Sequence, residues 1–158
     1  MRIGHGYDVH RLEAGRDLVI GGVSIEHEFG LDGHSDADVL VHAVMDAVLG
    51  ALAMGDIGQH FPDTDEQYKG ISSIALLRLV AGMMDRAGLR LGNLDATVVA
   101  EAPKLAPFIP EMRQNLAGVF YAPMNRVNVK ATTEEGLGFT GAKLGIAAHA
   151  VVLLEPKE

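Results

Sequence analysis

Residues 4–12 read GHGYDVHRL. Asp8 and His10 stand two apart in a stretch that alternates like a strand, and side chains two apart on a strand share a face. The pair can grip one cation from one side, while His5, Tyr7 and Val9 point the other way. A third ligand must come from elsewhere, and His42 is the best candidate. It sits in VLVHAVMDAVLGAL with Asp38 and Asp46 one turn before and after it. A carboxylate so placed can accept the second ring N–H of a metal-bound imidazole. Asp, His and His with one position left open describe a catalytic zinc site. The competing reading is a core histidine satisfied by hydrogen bonds, and D-x-H with a remote His does not by spacing alone decide between them.

Other polar stretches invite chemistry more weakly. In GHSDAD, His34 and Ser35 lie at the start of a helical pattern, where free N–H groups and the helix dipole favour a phosphate. Ser35 also reads as a plain cap. FPDTD, residues 61–65, and KATTEEG, residues 130–136, gather carboxylates and hydroxyls suited to phosphate and to a hard divalent ion. Each is equally an ordinary polar loop.

The elements that must hold these groups follow from pattern. Residues 2–10 alternate as a strand. DLVIGGVSIE is a hairpin around Gly21-Gly22. GHSDADVLVHAVMDAVLGALAM is a helix, capped by Ser35 or Asp36, with Ser35 and Asp38 resembling a capping box. Its apolar residues run nearly all round, so it is a buried helix. GDIGQHFPDTDEQYKG reads as a long surface loop. SSIALLRLVAGMMDRAG is an amphipathic helix that starts near Ser72 or Ser73 and stops at Gly88. NLDATVVAEAP is a strand ending at Pro103, PEMRQNLAGVF a helix with Pro110 at its first position, and RVNVKATT and GIAAHAVVLLE are two further strands. The order is β-β-β-α-α-β-α-β-β. It predicts one α+β domain over residues 1–158, with helices on one face of a mixed sheet. The last strand is apolar at nearly every position, so its other face also needs cover, which a homo-oligomer would supply.

Composition narrows the classes. The chain has 158 residues, 48% hydrophobic and 22% charged, which is globular and not disordered. No apolar run is long enough for a bilayer and no leader precedes the first strand, so the expected place is the cytoplasm, or an organelle stroma after removal of a transit peptide. There is no cysteine, which leaves His, Asp and Glu as metal ligands. The formal net charge of −8 argues against nucleic-acid binding and opposes a phosphate ligand unless local cations or N–H groups overcome it. Six of the seven histidines lie in the first 60 residues.

GHGYDVH, GHSDADVLVH, GDIGQHFPDTD, EAPKLAPFIPEM and VNVKATTEEGLGFTG occur in this order and nearly fill the chain. Together they resemble the 2-C-methyl-D-erythritol 2,4-cyclodiphosphate synthase family. The resemblance implies a fold like that of Bacillus-type chorismate mutase and a homotrimer with active sites at subunit interfaces. It implies a reaction in which the 2-phosphate of 4-diphosphocytidyl-2-C-methyl-D-erythritol 2-phosphate attacks the β-phosphorus and expels CMP. By the same resemblance Asp8, His10 and His42 hold Zn2+, and Glu135 holds Mg2+ or Mn2+ between the α- and β-phosphates. His34 and Thr133 match transition-state stabilisers. Asp56, Ile57 and Gly58, with Phe61, Pro62, Asp63, Thr64 and Asp65, match the methylerythritol side. Ala100, Glu101, Ala102, Pro103, Lys104, Leu105 and Ala106 match the cytidine and phosphate pocket contributed by a neighbouring subunit, where Thr132 would add a phosphate contact. Ser35, Glu134 and Phe139 match further substrate-binding positions. Many family members carry arginine where this chain has Ala142 and glutamate where it has His149. That difference puts in question a diphosphate site in the central trimer cavity, but it leaves the catalytic set untouched.

Two rival functions use the same residues. A zinc phosphohydrolase would activate water at Asp8, His10 and His42. A non-catalytic trimeric module would bind isoprenoid diphosphates without turnover.

Overall fold

The computed structural model of the chain describes residues 1–158. Strand β1 (Arg2–Ala14) is followed by the hairpin β2 (Leu18–Ile20) and β3 (Val23–Ile25), then β4 (Phe29–Leu31). Helices α1 (Val39–Leu52), α2 (Ile57–His60) and α3 (Ser73–Arg86) come next, then β5 (Leu89–Val99), α4 (Ile109–Phe120), β6 (Val127–Thr132), α5 (Gly138–Gly141) and β7 (Gly145–Pro156). The main sheet has the order β4-β1-β7-β5-β6, with β5 and β6 parallel and the other pairs antiparallel. It is the mixed α+β arrangement expected from the sequence.

Strand β1 fixes how the principal helix sits. Its alternate residues Gly4 and Gly6 are buried, whereas Ile3, His5, Tyr7 and Val9 are exposed. A Cβ at Gly4 would lie 1.8 Å from the Ala47 carbonyl oxygen, and one at Gly6 would lie 1.8 Å from that of Ala43. Only glycine permits so close an approach of strand and helix backbones. Two strand residues advance about 6.6 Å and four helix residues about 6.0 Å, so the steps match and α1 runs antiparallel along β1. The next step carries Asp8, and then His10, to the N-terminal end of α1.

Helix α1 is buried on all sides, as its sequence predicts: Val39, Leu40, Val41, Val44, Val48 and Leu49 are fully enclosed. It lies against β1, β7 and α3, while α3 and α4 cover β5 and β6 on the same side. The opposite face of the sheet is open. Ile3, Tyr7, Val9 and Val151 are exposed there, and Glu155 is paired with Arg90 and Arg126 at one end of the strands.

Several boundaries differ from the sequence expectation. Helix α1 starts at Val39 and is not capped by Ser35 or Asp36, because Ala37 has φ +55° and interrupts the helical run. Its cap is Asp38, whose Oδ1 accepts the Val41 N–H at 3.1 Å. The expected loop at 55–70 holds α2 and a single turn at Glu66–Tyr68. Strand β4 was not expected, since three residues are too few to show alternation. Strand β5 begins at Leu89, ahead of Asn93, and leaves the sheet at Val99 before Pro103. Pro110 occupies the second helical position of α4, after Ile109.

Candidate metal centre and pocket

Asp8 and His10 leave β1 on the helix side, and His42 reaches them from the first turns of α1. Asp8 Oδ2 lies 2.8 Å from His10 Nε2 and 3.1 Å from His42 Nδ1, and the two nitrogens are 3.1 Å apart. Four ligands about 2.0–2.1 Å from a tetrahedral zinc stand about 3.3 Å from one another, so this near-equilateral triangle is close to one face of such a site. All three donors are of the type a divalent transition metal takes, and the residues present fit the ion. His5 is excluded, as alternation requires. Its Nε2 faces His149 Nδ1 at 3.3 Å on the open side of the sheet, beside Tyr7.

The electrostatics suit a cation. Burial opposes the charged form of Asp8, but the hydrogen bond and charge of His10, with His42 beside it, overcome it and hold its carboxyl down at about 2. Burial likewise opposes the charged form of His10. The hydrogen bond and charge of Asp8, and the Asp32 carbonyl, nevertheless raise its pKa. Three donor atoms crowded this closely share their lone pairs best with one positive centre, a proton or a metal ion.

The carboxylates flanking His42 in sequence do not orient it. Asp38 accepts N–H groups of Gly21 at 2.9 Å and Gly22 at 2.7 Å besides that of Val41, tying the β2–β3 turn to the head of α1. Burial pushes its carboxyl up to about 6 against the pull of those donors. Asp46 accepts the Ile57 N–H at 2.8 Å and so anchors α2, with burial raising its pKa. Spacing one turn apart placed them on His42's stripe, but their oxygens had nearer backbone donors to satisfy.

The ligands open onto a cavity of about 370 Å3, walled also by Gly33, His34, Ser35, Met45, Ile57, Gly58, Phe61, Pro62, Asp63, Tyr68 and Leu76. It thereby gathers most of the expected methylerythritol side. His34 Nε2 donates to the Asp65 carbonyl at 2.9 Å, which ties the segment before α1 to the 61–65 loop. Asp56 caps α2 through the Gln59 N–H at 3.0 Å, while exposed Thr64 and half-buried Asp65 do not face the cavity. Met45, Tyr68 and Leu76 were not expected there. Met45 and Leu76 read as ordinary helix core and Tyr68 as part of a surface loop, and only the fold shows that they meet a void.

The other expected half-site lies elsewhere in the chain. Ala100–Ala106 follow β5, while Thr132 ends β6 and Thr133, Glu134 and Glu135 follow it. The Ala100 N–H donates to the Thr132 carbonyl at 3.0 Å, so these segments run side by side. Asp8 pairs with Ala148, which pairs with Val98, so both half-sites stand at one end of the sheet. Strand β7 separates them, and β1 and β5 are about 10 Å apart, two strand spacings. None of residues 100–106, 132–135 or 139 lines the cavity around the three ligands. Residues 131–139 are all exposed, and Glu135 has φ +55° with its N–H on Thr133 Oγ1 at 3.3 Å.

Fold and triangle together define a class: an α+β protein whose cavity wall carries an open Asp-His-His group able to hold a divalent metal. The YgbB family model matches residues 1–155, and the chain belongs to that family. It is 66% identical over 157 residues to the 2-C-methyl-D-erythritol 2,4-cyclodiphosphate synthase of Geobacter sulfurreducens, covering 99% of this chain and 100% of the relative. It is 60% identical to that of Pseudomonas entomophila, covering 99% of each chain. Among solved structures, a synthase of the same name in its CDP-bound form superimposes with a TM-score of 0.90 at 38% identity, over 98% of this chain and all of that one. The bifunctional IspDF of Campylobacter jejuni matches with a TM-score of 0.95 at 42% identity over 99% of this chain, which spans 42% of that longer protein. By family the chain is an enzyme of the cyclodiphosphate synthase class, of isoprenoid biosynthesis.

Proposed function

We propose that the protein closes 4-diphosphocytidyl-2-C-methyl-D-erythritol 2-phosphate into 2-C-methyl-D-erythritol 2,4-cyclodiphosphate and releases CMP. The observation that carries the reading is the triangle of Asp8 Oδ2, His10 Nε2 and His42 Nδ1 on the wall of a cavity of about 370 Å3.

Phosphoryl transfer depends mainly on positioning and charge neutralisation. Asp8, His10 and His42 would hold Zn2+, which when bound supplies a Lewis acid for a phosphoryl oxygen and part of the positive charge that a chain of net −8 lacks. Glu135 would hold Mg2+ or Mn2+. It belongs to no cluster of three ligating side chains, which suits an ion that takes one or two carboxylates and completes its shell with substrate phosphates. The nucleophile is already a phosphate anion, so no side chain need act as base. Ile57, Gly58, Phe61, Pro62 and Asp63 enclose the methylerythritol and exclude water that would otherwise hydrolyse the diphosphate. His34 and Thr133 steady the charge on the reacting phosphoryl group.

The site needs a second copy to be complete. The cytidine and phosphate segments at 100–106 and 132–135 stand beyond β7 from the metal ligands of their own chain, which supports their serving a neighbour's site. The exposed apolar face of β1 and β7 supports a homotrimer that covers it.

Incubating the enzyme with the substrate and following phosphorus NMR, with and without chelator, tests the function. A cyclic diphosphate and CMP are expected, and linear methylerythritol phosphates alone would refute it. Oxygen-18 from solvent in the phosphate product would instead indicate hydrolysis. Binding of isoprenoid diphosphates with no turnover would indicate a binding module.

A further inference from the structure

The ring of His42 has a second side. Its Nε2 turns away from Asp8 and His10 toward the start of α3, where Ser73 Oγ lies at 2.9 Å and Ser35 Oγ at 3.2 Å. Ser73 is completely buried. It is not capping its own helix: the cap position belongs to Ser72, whose side chain makes no capping bond. Ser73 instead gives both of its protons to Asp36. Its backbone N–H donates to Asp36 Oδ2 at 3.1 Å, and its hydroxyl donates to Asp36 Oδ1.

Proton counting sets the direction of this chain. An ionised carboxylate only accepts, and a serine hydroxyl has one proton. Once Asp36 takes that proton, the Ser73 oxygen can meet His42 only as an acceptor. The nearer contact of Nε2, to Ser73 at 2.9 Å, is then made only when the neutral imidazole carries its proton on Nε2, with the Ser35 hydroxyl turned to Ser73 Oγ at 3.5 Å, and this leaves the Nδ1 lone pair aimed at Asp8 and His10. His10 is set in the same way through its opposite nitrogen, because Nδ1–H donates to the Asp32 carbonyl at 2.7 Å and frees Nε2. The single segment between β4 and α1, residues 32–38, thus supplies the final acceptor for both rings.

We propose that Asp36 and Ser73 form a positioning pair that fixes the Nε2–H tautomer of His42 and so presets its Nδ1 as a metal ligand. The inference rests on the reading of Asp8, His10 and His42 as a metal site and adds two residues to it. The pair acts through His42 and touches no substrate. It lowers the cost of binding an ion, because the ligand nitrogen needs no change of tautomer when the ion arrives.

Full-length protein labelled with 15N-histidine, stripped by chelator and titrated with zinc alone against a competing chelating dye, tests this. Long-range proton–nitrogen spectra report which ring nitrogen of His42 carries the proton. Wild type is expected to bind zinc stoichiometrically and to show Nε2–H before zinc is added. Ser73→Ala is expected to bind zinc about 10–100-fold more weakly and to show mixed tautomers in the metal-free state. Asp36→Asn puts an amide donor against one of the two donors of Ser73, so it should move both readouts in the same direction. Asp36 is only half-buried, so this variant carries the test if Ser73→Ala does not fold. Wild-type affinity together with a retained Nε2–H tautomer in the folded variant would overturn the pair. A wild-type chain that takes up no zinc would overturn the metal reading itself, which is a different result.

Discussion

Gly6 lies under Ala43, close enough that a single Cβ on the glycine would reach within 1.8 Å of the alanine carbonyl oxygen. This contact sets the distance between β1 and α1, and so decides that Asp8 and His42 meet at 3.1 Å one step further along.

Gly6→Ala should therefore damage both the fold and the site. Forcing a methyl into that contact must move the helix, at a cost of about 1–3 kcal/mol or more. Urea unfolding should show the loss, and zinc titration should show weakened uptake in whatever folded protein remains. A variant as stable as wild type that binds zinc equally well would refute the account of the glycine.

His42→Ala should lose stoichiometric zinc, whereas His5→Ala should keep it. The two histidines bracket the alternation argument, since His5 lies on the open face beside His149. Metal analysis of purified variants distinguishes them, and the reverse pattern would overturn the assignment of faces.

Metal-free protein should lose stability in acid through Asp8. Its carboxyl is held at about 2 against an ordinary 3.8, so the folded state binds the proton less tightly than the unfolded one. The contribution is present above the unfolded pKa, about 2 kcal/mol near pH 5, and is largely gone by pH 2. Urea unfolding across that range should show a shallower pH dependence for Asp8→Asn than for wild type. Parallel curves would contradict the coupling of Asp8 to the two histidines.

Sedimentation at micromolar concentration should show a trimer. Placing a charge on the open face with Tyr7→Glu should shift the population toward smaller species and lower turnover with it, if each site borrows segments 100–106 and 132–135 from a neighbour as proposed. A fully active monomer would contradict the shared site.

His34→Ala and Thr133→Ala should each lower kcat by about 100-fold, the order expected for loss of one stabilising donor. CMP release under saturating substrate measures this, and neither change should alter zinc content, since neither residue is one of the three ligands. Loss of zinc from His34→Ala would reassign that residue to the metal centre.

The sequence by itself determined the parity of β1, the burial of α1, the glycine hairpin and the ordered motifs that carry the family. These are local or one-dimensional properties. Period-two alternation puts Asp8 and His10 on one face whatever the rest of the chain does. What holds the second nitrogen of His42 was not legible. Asp38 and Asp46 lie one turn away in sequence, yet their oxygens go to backbone N–H groups of Gly21, Gly22, Val41 and Ile57. The partner is Ser73, 31 residues distant and brought in by the packing of α3 on α1. The start of α1 departs from its sequence pattern for a related reason: Ser35 and Asp36 are good capping residues, but their side chains are engaged with His42 and Ser73. Hydrogen-bonding groups choose among every donor that folding brings within reach, and chain spacing counts only those nearby in sequence. Tertiary structure alone therefore decided how the three ligands are held and which cavity they face.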